Sequence, residues 1–196
     1  VTCLYRRTIK EMPGNAKDFI TLYNALDSLL RKSNSSPRGL ILDLKRNPGG
    51  LLEEAITVCN LFLDDGQFIV GTSARSRWGV ERNYANGRDI TNGLPIAVLV
   101  DRGSASAAEI AAGALRQLGR GVLIGDTTFG KGLVQGYSQF PDGSGIRLTI
   151  SRYFLEGNLY LNRLDSVHGD KGSGLTPDYV VPNEDRSPFL SALESS

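Results

Sequence analysis

The chain has 196 residues, 40% of them hydrophobic and 22% charged, and its 22 Lys and Arg against 21 Asp and Glu give a formal net charge of +1. That length suits one sizeable domain with a substantial core, and those proportions exclude wholesale disorder. The charges are balanced and scattered, without the basic excess or stripe of a nucleic-acid binder, so nucleic acid is not expected as a partner.

The first residues, VTCLYRR, lack the long apolar stretch of a signal peptide, and no later apolar run approaches the roughly 20 residues needed to cross a bilayer. The chain therefore reads as soluble as given. It does not start with Met, so a signal, an anchor or another domain preceding Val1 stays open. From Asn15, a plausible helix cap, the apolar residues Phe19, Leu22, Leu26, Leu29 and Leu30 recur at helical spacing until the breaker run 33–37. GLILDL (39–44) reads as a short buried strand closed by the turn Asn47-Pro48-Gly49-Gly50. Leu52, Ala55, Cys59 and Phe62 mark a second amphipathic helix ending before Asp64-Asp65-Gly66. Cys3 and Cys59 are too few for a disulfide scaffold or a zinc site, and are expected to be unpaired thiols, Cys59 in the core.

Residues 68–72 read as a strand, and the polar stretch 75–93, holding the single Trp78, as an excursion or hairpin. LPIAVLV (94–100) is another buried strand, 101–105 a turn, and Ile110, Ala111, Ala114, Leu115 and Leu118 a third helical stripe stopping at Gly119. A strand at 122–124, a Gly-rich loop at 125–132 and strand-like segments at 133–137, 146–150 and 153–155 follow. Two βα units followed by a β-rich part indicate an α/β core with its functional loops after strand ends. The Ser-rich end is expected to be a frayed tail.

Several candidate chemistries fail on the residues. The one histidine, His168, sits in the polar run DSVHGDKG and reads as a loop residue, which leaves a Ser-His-Asp triad without support. The G-x-S-x-G elbow is absent, because Ser104 and Ser106 stand in Gly103-Ser104-Ala105-Ser106-Ala107. Gly125 to Gly132 fits G-x-x-x-x-G-K, but Gly132 stands where a phosphate-binding loop needs Ser or Thr, and the following Leu133-Val134-Gln135-Gly136-Tyr137 looks extended rather than helical. The pairs Glu53-Glu54 and Asp64-Asp65 are neighbours that do not face each other on a helix, and read as solvated faces.

What survives is two Gly-rich turns and one lysine, each after a buried strand. The segments GLILDLKRNPGGLLEEAI, PIAVLVDRGSASAAEIAAGAL, GRGVLIGDTTFGKGLVQ and GLTPDYVV resemble, in order and spacing, the catalytic domain of the C-terminal processing (tail-specific) peptidases. The resemblance runs from about Arg38 to Val181. Its most specific part is Ser-Ala-Ser-Ala-x-Glu followed by Thr-Phe-Gly-Lys-Gly-x-x-Gln. It implies an α/β fold of the crotonase-like (ClpP/crotonase) type and a serine peptidase with Ser106 as nucleophile and Lys131 as general base. Gln135 would orient the lysine, and an oxyanion hole would form from the N–H of Ala107 and the turn at Gly49 and Gly50. Some members carry an aspartate where this chain has Gln117, and a commoner serine is replaced by Ala108. The resemblance further implies no metal or other cofactor, protein or peptide substrates with apolar C-termini, a PDZ domain upstream of a catalytic core spanning 1–185 with a tail at 186–196, and an extracytoplasmic location such as periplasm, cell envelope or thylakoid lumen.

The chemistry agrees with the resemblance. A serine hydroxyl needs a base, and an ordinary lysine, with a pKa near ~10.4, serves only if burial favours its neutral form. Phe129, Leu133 and Val134 are expected to supply an apolar enclosure. Ser106 stands at the start of the third helix, where unpaired N–H groups favour developing negative charge. The rival readings are a non-catalytic module on the same scaffold that binds apolar small molecules such as retinoids, in which the Ser/Lys pair should be lost, and an inactive fragment.

Overall fold

A computed structural model describes residues 5–8, 16–32, 37–74, 79–161 and 174–181. Five strands, β1 (Tyr5–Thr8), β2 (Leu40–Asp43), β5 (Ile96–Val100), β6 (Gly121–Gly125) and β10 (Tyr179–Val180), form a parallel sheet in the order β1-β2-β5-β6-β10. Strands β3 (Phe68–Ala74), β4 (Val80–Tyr84), β7 (Leu133–Gln139) and β8 (Gly145–Leu155) form an antiparallel sheet in the order β4-β3-β8-β7, with β9 (Leu159–Tyr160) also on β8. The helices are α1 (Ala16–Lys32), α2 (Leu52–Cys59) and α3 (Ala107–Gln117).

The parallel strands are apolar runs whose alternate residues fill one core. Leu40, Leu42, Val98, Val100 and Leu123 are buried, while Ile41, Ala97, Leu99 and Ile124 on the opposite face are half-buried. Helix α3 packs on β6 and also on β3 and β8, so it lies between the two sheets. That position explains its composition: in AAEIAAGALRQ every residue from Ala107 to Leu115 is buried, and small side chains let both sheets approach. At Gly113 a Cβ would stand 2.3 Å from Leu155 Cδ1 of β8. The antiparallel strands are further tied by aromatic contacts, Phe68 lying 5.6 Å from Tyr84 and 6.1 Å from Phe154 between ring centroids.

The expected βα alternation is present, with differences of extent. The second helix stops at Cys59 and Phe62 falls in the turn after it, still in the core. The segments expected at 146–150 and 153–155 are one strand, β8, because pairing with both β7 and β3 carries it through the break. Within 75–93 the hairpin partner is β4, antiparallel to β3. Cys59 is buried and unpaired, and burial pushes its thiol up to about 12, which keeps it unreactive. Cys3, Asn15, Trp78, His168 and the tail 186–196 lie outside the described residues.

Candidate active site

Three loops meet at the C-terminal ends of β2, β5 and β6. Ser104, fully buried, begins the stitching: its hydroxyl donates to the Leu44 carbonyl at 2.7 Å and accepts the Asp101 N–H at 3.0 Å. Asp101 Oδ1 accepts the N–H groups of Arg46 and Gly103 at 2.8 and 2.9 Å, and Ala105 N–H donates to the Asn47 carbonyl at 2.9 Å. The turn after β2 is thereby bonded to the turn after β5. Beside these loops a cavity of about 240 Å³ opens between Lys45, Leu99, Asp101, Ile124, Asp126 and Val181.

Ser106, half-buried, is the N-cap of α3 and has φ 56° and ψ −122°. A non-glycine residue there carries about 1–3 kcal/mol of backbone strain, sustained only where neighbours over-determine it. Here the Ser106 N–H donates to Glu109 Oε2 at 2.9 Å. The result is a sharp strand-to-helix turn at the serine, comparable to a nucleophile elbow but without its G-x-S-x-G signature. Ala107, the first helical residue, carries an N–H with no acceptor inside the helix.

Gly49 packs directly against this turn. Its φ is +96°, and a Cβ there would lie 2.6 Å from the Ala105 carbonyl oxygen, 2.7 Å from Ser106 Cβ and 2.8 Å from the Ala107 nitrogen. Only glycine fits that approach. The Gly49 N–H donates to Asn47 Oδ1 at 2.9 Å, and Gly50 follows it, exposed.

The residue that organises the site is Glu109, which lies inside the Ser-Ala-Ser-Ala-x-Glu segment but takes its role only from the folded arrangement. It is fully buried. Besides Ser106, its carboxylate accepts Gly130 N–H at 2.7 Å, Lys131 N–H at 2.8 Å and the Thr128 hydroxyl. The N–H groups of Ser106 and Lys131 therefore converge on one oxygen, Oε2. One signal was in the sequence: Ser106 and Glu109 stand at capping-box spacing. The lysine loop is held on its other sides by Phe129 N–H on the Ser104 carbonyl at 2.9 Å, Tyr153 N–H on the Gly132 carbonyl at 3.1 Å, and Thr128 N–H on the Leu175 carbonyl at 3.0 Å. It leads into strand β7 and not a helix, which removes the phosphate-loop reading.

Ser106, Ala107, Gly49 and the Lys131 backbone are thus neighbours. The Lys131 side chain is exposed, and the expected apolar enclosure is incomplete: Phe129 is 52% exposed, while Leu133 and Val134 are half-buried. The cause is that Glu109 captures the backbone of this loop, and that β7, which follows it, is the edge strand of its sheet. Gln135, exposed, sits on β7 beside a bulge at 134–135. Gln117 is engaged elsewhere, its Oε1 accepting Glu156 N–H at 2.9 Å. Among the described residues no group of three or more His, Cys, Asp or Glu is gathered as a metal site.

Peptidase family S41 matches residues 8–181. The chain is 36% identical over 177 residues to the carboxyl-terminal-processing protease of Picosynechococcus, covering 90% of this chain and 38% of that protein. It is 37% identical over 173 residues to the carboxy-terminal processing protease CtpA of Bacillus subtilis, covering 87% and 34%. The solved structure of a photosystem II D1 C-terminal processing protease superposes with a TM-score of 0.74 at 31% identity, over 89% of this chain and 41% of that one. This chain thus spans little more than a third of the length of these relatives, and its fold is the α/β, crotonase-like one expected. By its matched length and by these relatives, the chain belongs to Peptidase family S41, with the carboxyl-terminal processing proteases.

Proposed function

We propose that the chain is the catalytic core of a serine-type endopeptidase that cleaves peptide bonds near protein C-termini through an acyl-enzyme on Ser106, with Lys131 as general base. The observation that carries this reading is the convergence of the Ser106 and Lys131 N–H groups on one oxygen of buried Glu109. It fixes two loops far apart in the chain so that their side chains leave from adjacent points.

In the proposed reaction the neutral Lys131 amine takes the Ser106 hydroxyl proton while Oγ attacks the scissile carbonyl carbon. The charge that develops on the carbonyl oxygen meets the Ala107 N–H at the start of α3 and an N–H of the Gly49-Gly50 turn, where one such donor is worth about 10²–10³ in rate. Because the Gly49 N–H faces Asn47, Gly50 is the better-disposed of the two. Collapse expels the amine, which takes the proton back from Lys131, and water repeats the sequence to release the acid and restore Ser106. Gln135 orients the lysine as a neutral amide. An exposed lysine must be enclosed when the substrate binds, and a peptide laid across Phe129 and the β7 edge would exclude water from the amine.

The core corresponds to 1–185, followed by a tail at 186–196. Selection of apolar C-termini is assigned to a PDZ domain upstream in the full-length protein, and an extracytoplasmic location belongs to the same proposal. Hydrolysis of an unstructured peptide with an apolar C-terminus tests the reading. Ser106→Ala and Lys131→Ala should each lower turnover by about 10³-fold or more without unfolding the chain. A chelator should leave the rate unchanged. Full turnover in either variant, or loss of activity on chelation, refutes the assignment.

A further inference from the structure

Among the described residues, the Tyr153 hydroxyl is the single buried side-chain polar atom without a hydrogen-bond partner. Tyr153 is 2% exposed, so no solvent answers for that group. Its backbone cannot relocate it: β8 pairs Tyr153 with Thr72 of β3, and its N–H donates to the Gly132 carbonyl at 3.1 Å, next to Lys131. The charge of Glu109 and the Ser106 side chain both act on the phenol's ionisation, which puts them in its neighbourhood. A buried hydroxyl left unpaired in the neighbourhood of Ser106 calls for an explanation, and with the ring held by β8, a turn of the Ser106 side chain is the small movement that would complete the bond.

We propose that Tyr153 is a positioning residue for Ser106, whose Oγ turns to accept the buried phenol's hydrogen bond as the substrate engages. The inference rests on Ser106 being the nucleophile. With the phenol donating to one Oγ lone pair, the Ser106 O–H is directed away from Tyr153, toward Lys131. As Oγ loses its proton to the lysine and attacks, the same donor meets the charge that accumulates on it. When the acyl-enzyme breaks, Oγ leaves the carbonyl carbon still hydrogen-bonded to the phenol. The phenol's own proton stays on Tyr153 throughout. That role requires a neutral phenol, and burial, followed by the charge of Glu109, pushes its ionisation well above the usual tyrosine range, while the Ser106 hydroxyl opposes the shift.

Tyr153→Phe deletes the oxygen and keeps the ring. A packing role predicts an equal or higher melting temperature, because the deleted hydroxyl has no partner, and unchanged kinetics. The positioning role predicts the same melting temperature with kcat lowered roughly tenfold to hundredfold, KM within about twofold, and labelling by a serine-directed fluorophosphonate slowed by a similar factor. Incorporating 3-fluorotyrosine at 153, which restores the hydroxyl, should recover most of the lost rate, and decides between the two roles if the Phe variant folds poorly. Wild-type kcat and labelling in Tyr153→Phe overturn the inference, as does a fluorotyrosine protein no faster than the Phe variant. Ser106→Ala run in parallel separates the positioning role from the nucleophile assignment: turnover or labelling in that variant sinks the nucleophile itself, whereas an inert Ser106→Ala beside a fully active Tyr153→Phe sinks only the role of Tyr153.

Discussion

A carboxylate with four donors loses differently to an amide than to a methyl group, and Glu109 allows the two to be compared. At Oε2 both donors are backbone N–H groups, of Ser106 and Lys131, and neither can turn away. At Oε1 one is the Gly130 N–H and the other the Thr128 hydroxyl, which can rotate to accept instead. In Glu109→Gln the amide NH2 should therefore settle at Oε1, orphaning one N–H at a cost of about 1–3 kcal/mol and keeping the two loops joined. Glu109→Ala orphans all three N–H groups, and should cost about 3 kcal/mol or more and lose activity beyond what stability explains. Urea unfolding and peptide turnover on both variants check the order; an alanine variant as stable as the glutamine one contradicts it. Capping-box spacing was the one sequence signal that could have revealed the Ser106–Glu109 contact. The contacts of Glu109 with Gly130 and Lys131, and the unpaired phenol of Tyr153, were not legible, because they join residues whose proximity depends on how β5, β6 and β8 are arranged.

Single elements here are held at their ends more by buried polar groups than by helix caps. Arg120, in the turn between α3 and β6, donates to the Phe62 and Leu94 carbonyls, the Thr91 hydroxyl and Asp89 Oδ2, and so clamps the end of α2 and the 86–94 loop against α3. Arg120 and Asp89 side chains are 14% and 10% exposed, and removing the arginine strands a nearly buried carboxylate, so Arg120→Ala should lower stability by about 2–4 kcal/mol. Burial alone would raise the Asp89 carboxyl, but the hydroxyl and N–H of Thr91, then the Arg120 charge and Gly93 N–H, hold it below the usual aspartate range. A carboxyl depressed on folding contributes stability that is complete above its unfolded pKa of about 3.9 and is lost as pH falls through the folded value. Asp89→Asn should accordingly give a shallower fall of stability below about pH 4, read from melting temperatures across that range, and an unchanged slope denies the pair this role. The strands and helices themselves were legible where period and length agreed, as in 39–44, 94–100 and the stripe from Ile110 to Leu118. β1 and β10 escaped because four and two residues carry no period of their own and exist as strands through parallel pairing with β2 and β6. Arg120 escaped for the same reason as Glu109: every one of its partners is remote in sequence or across a turn.

Across the molecule, the core is one continuous cluster from Leu22 of α1 through α2, α3 and the parallel strands to Tyr153, Leu155 and Leu175. The candidate site sits on it, since Glu109 belongs to the buried first turn of α3. The far end of the β7–β8 ribbon departs from this pattern. Tyr137 is 64% exposed, and Phe140, Ile146, Leu148 and Ile150 are exposed as well, so beyond the bulge at 134–135 the ribbon holds together by its ladder and turn with little apolar burial beneath it. Local opening there costs little apolar burial, whereas opening α3 means parting both sheets. Amide hydrogen exchange should show α3 exchanging at the slowest, global rate and residues 137–147 exchanging orders of magnitude faster, with protection rising again at Tyr153, where β8 pairs with β3 and reaches Gly132. Equal protection along all of β8 would mean that its exposed apolar residues are covered in solution, and an exchange rate that falls with increasing protein concentration would identify the cover as another copy of the chain. Fast exchange that extends through Tyr153 to Lys131 would instead place the lysine loop outside the cooperative core, and would remove the rigidity on which the proposed Ser106 and Lys131 geometry depends.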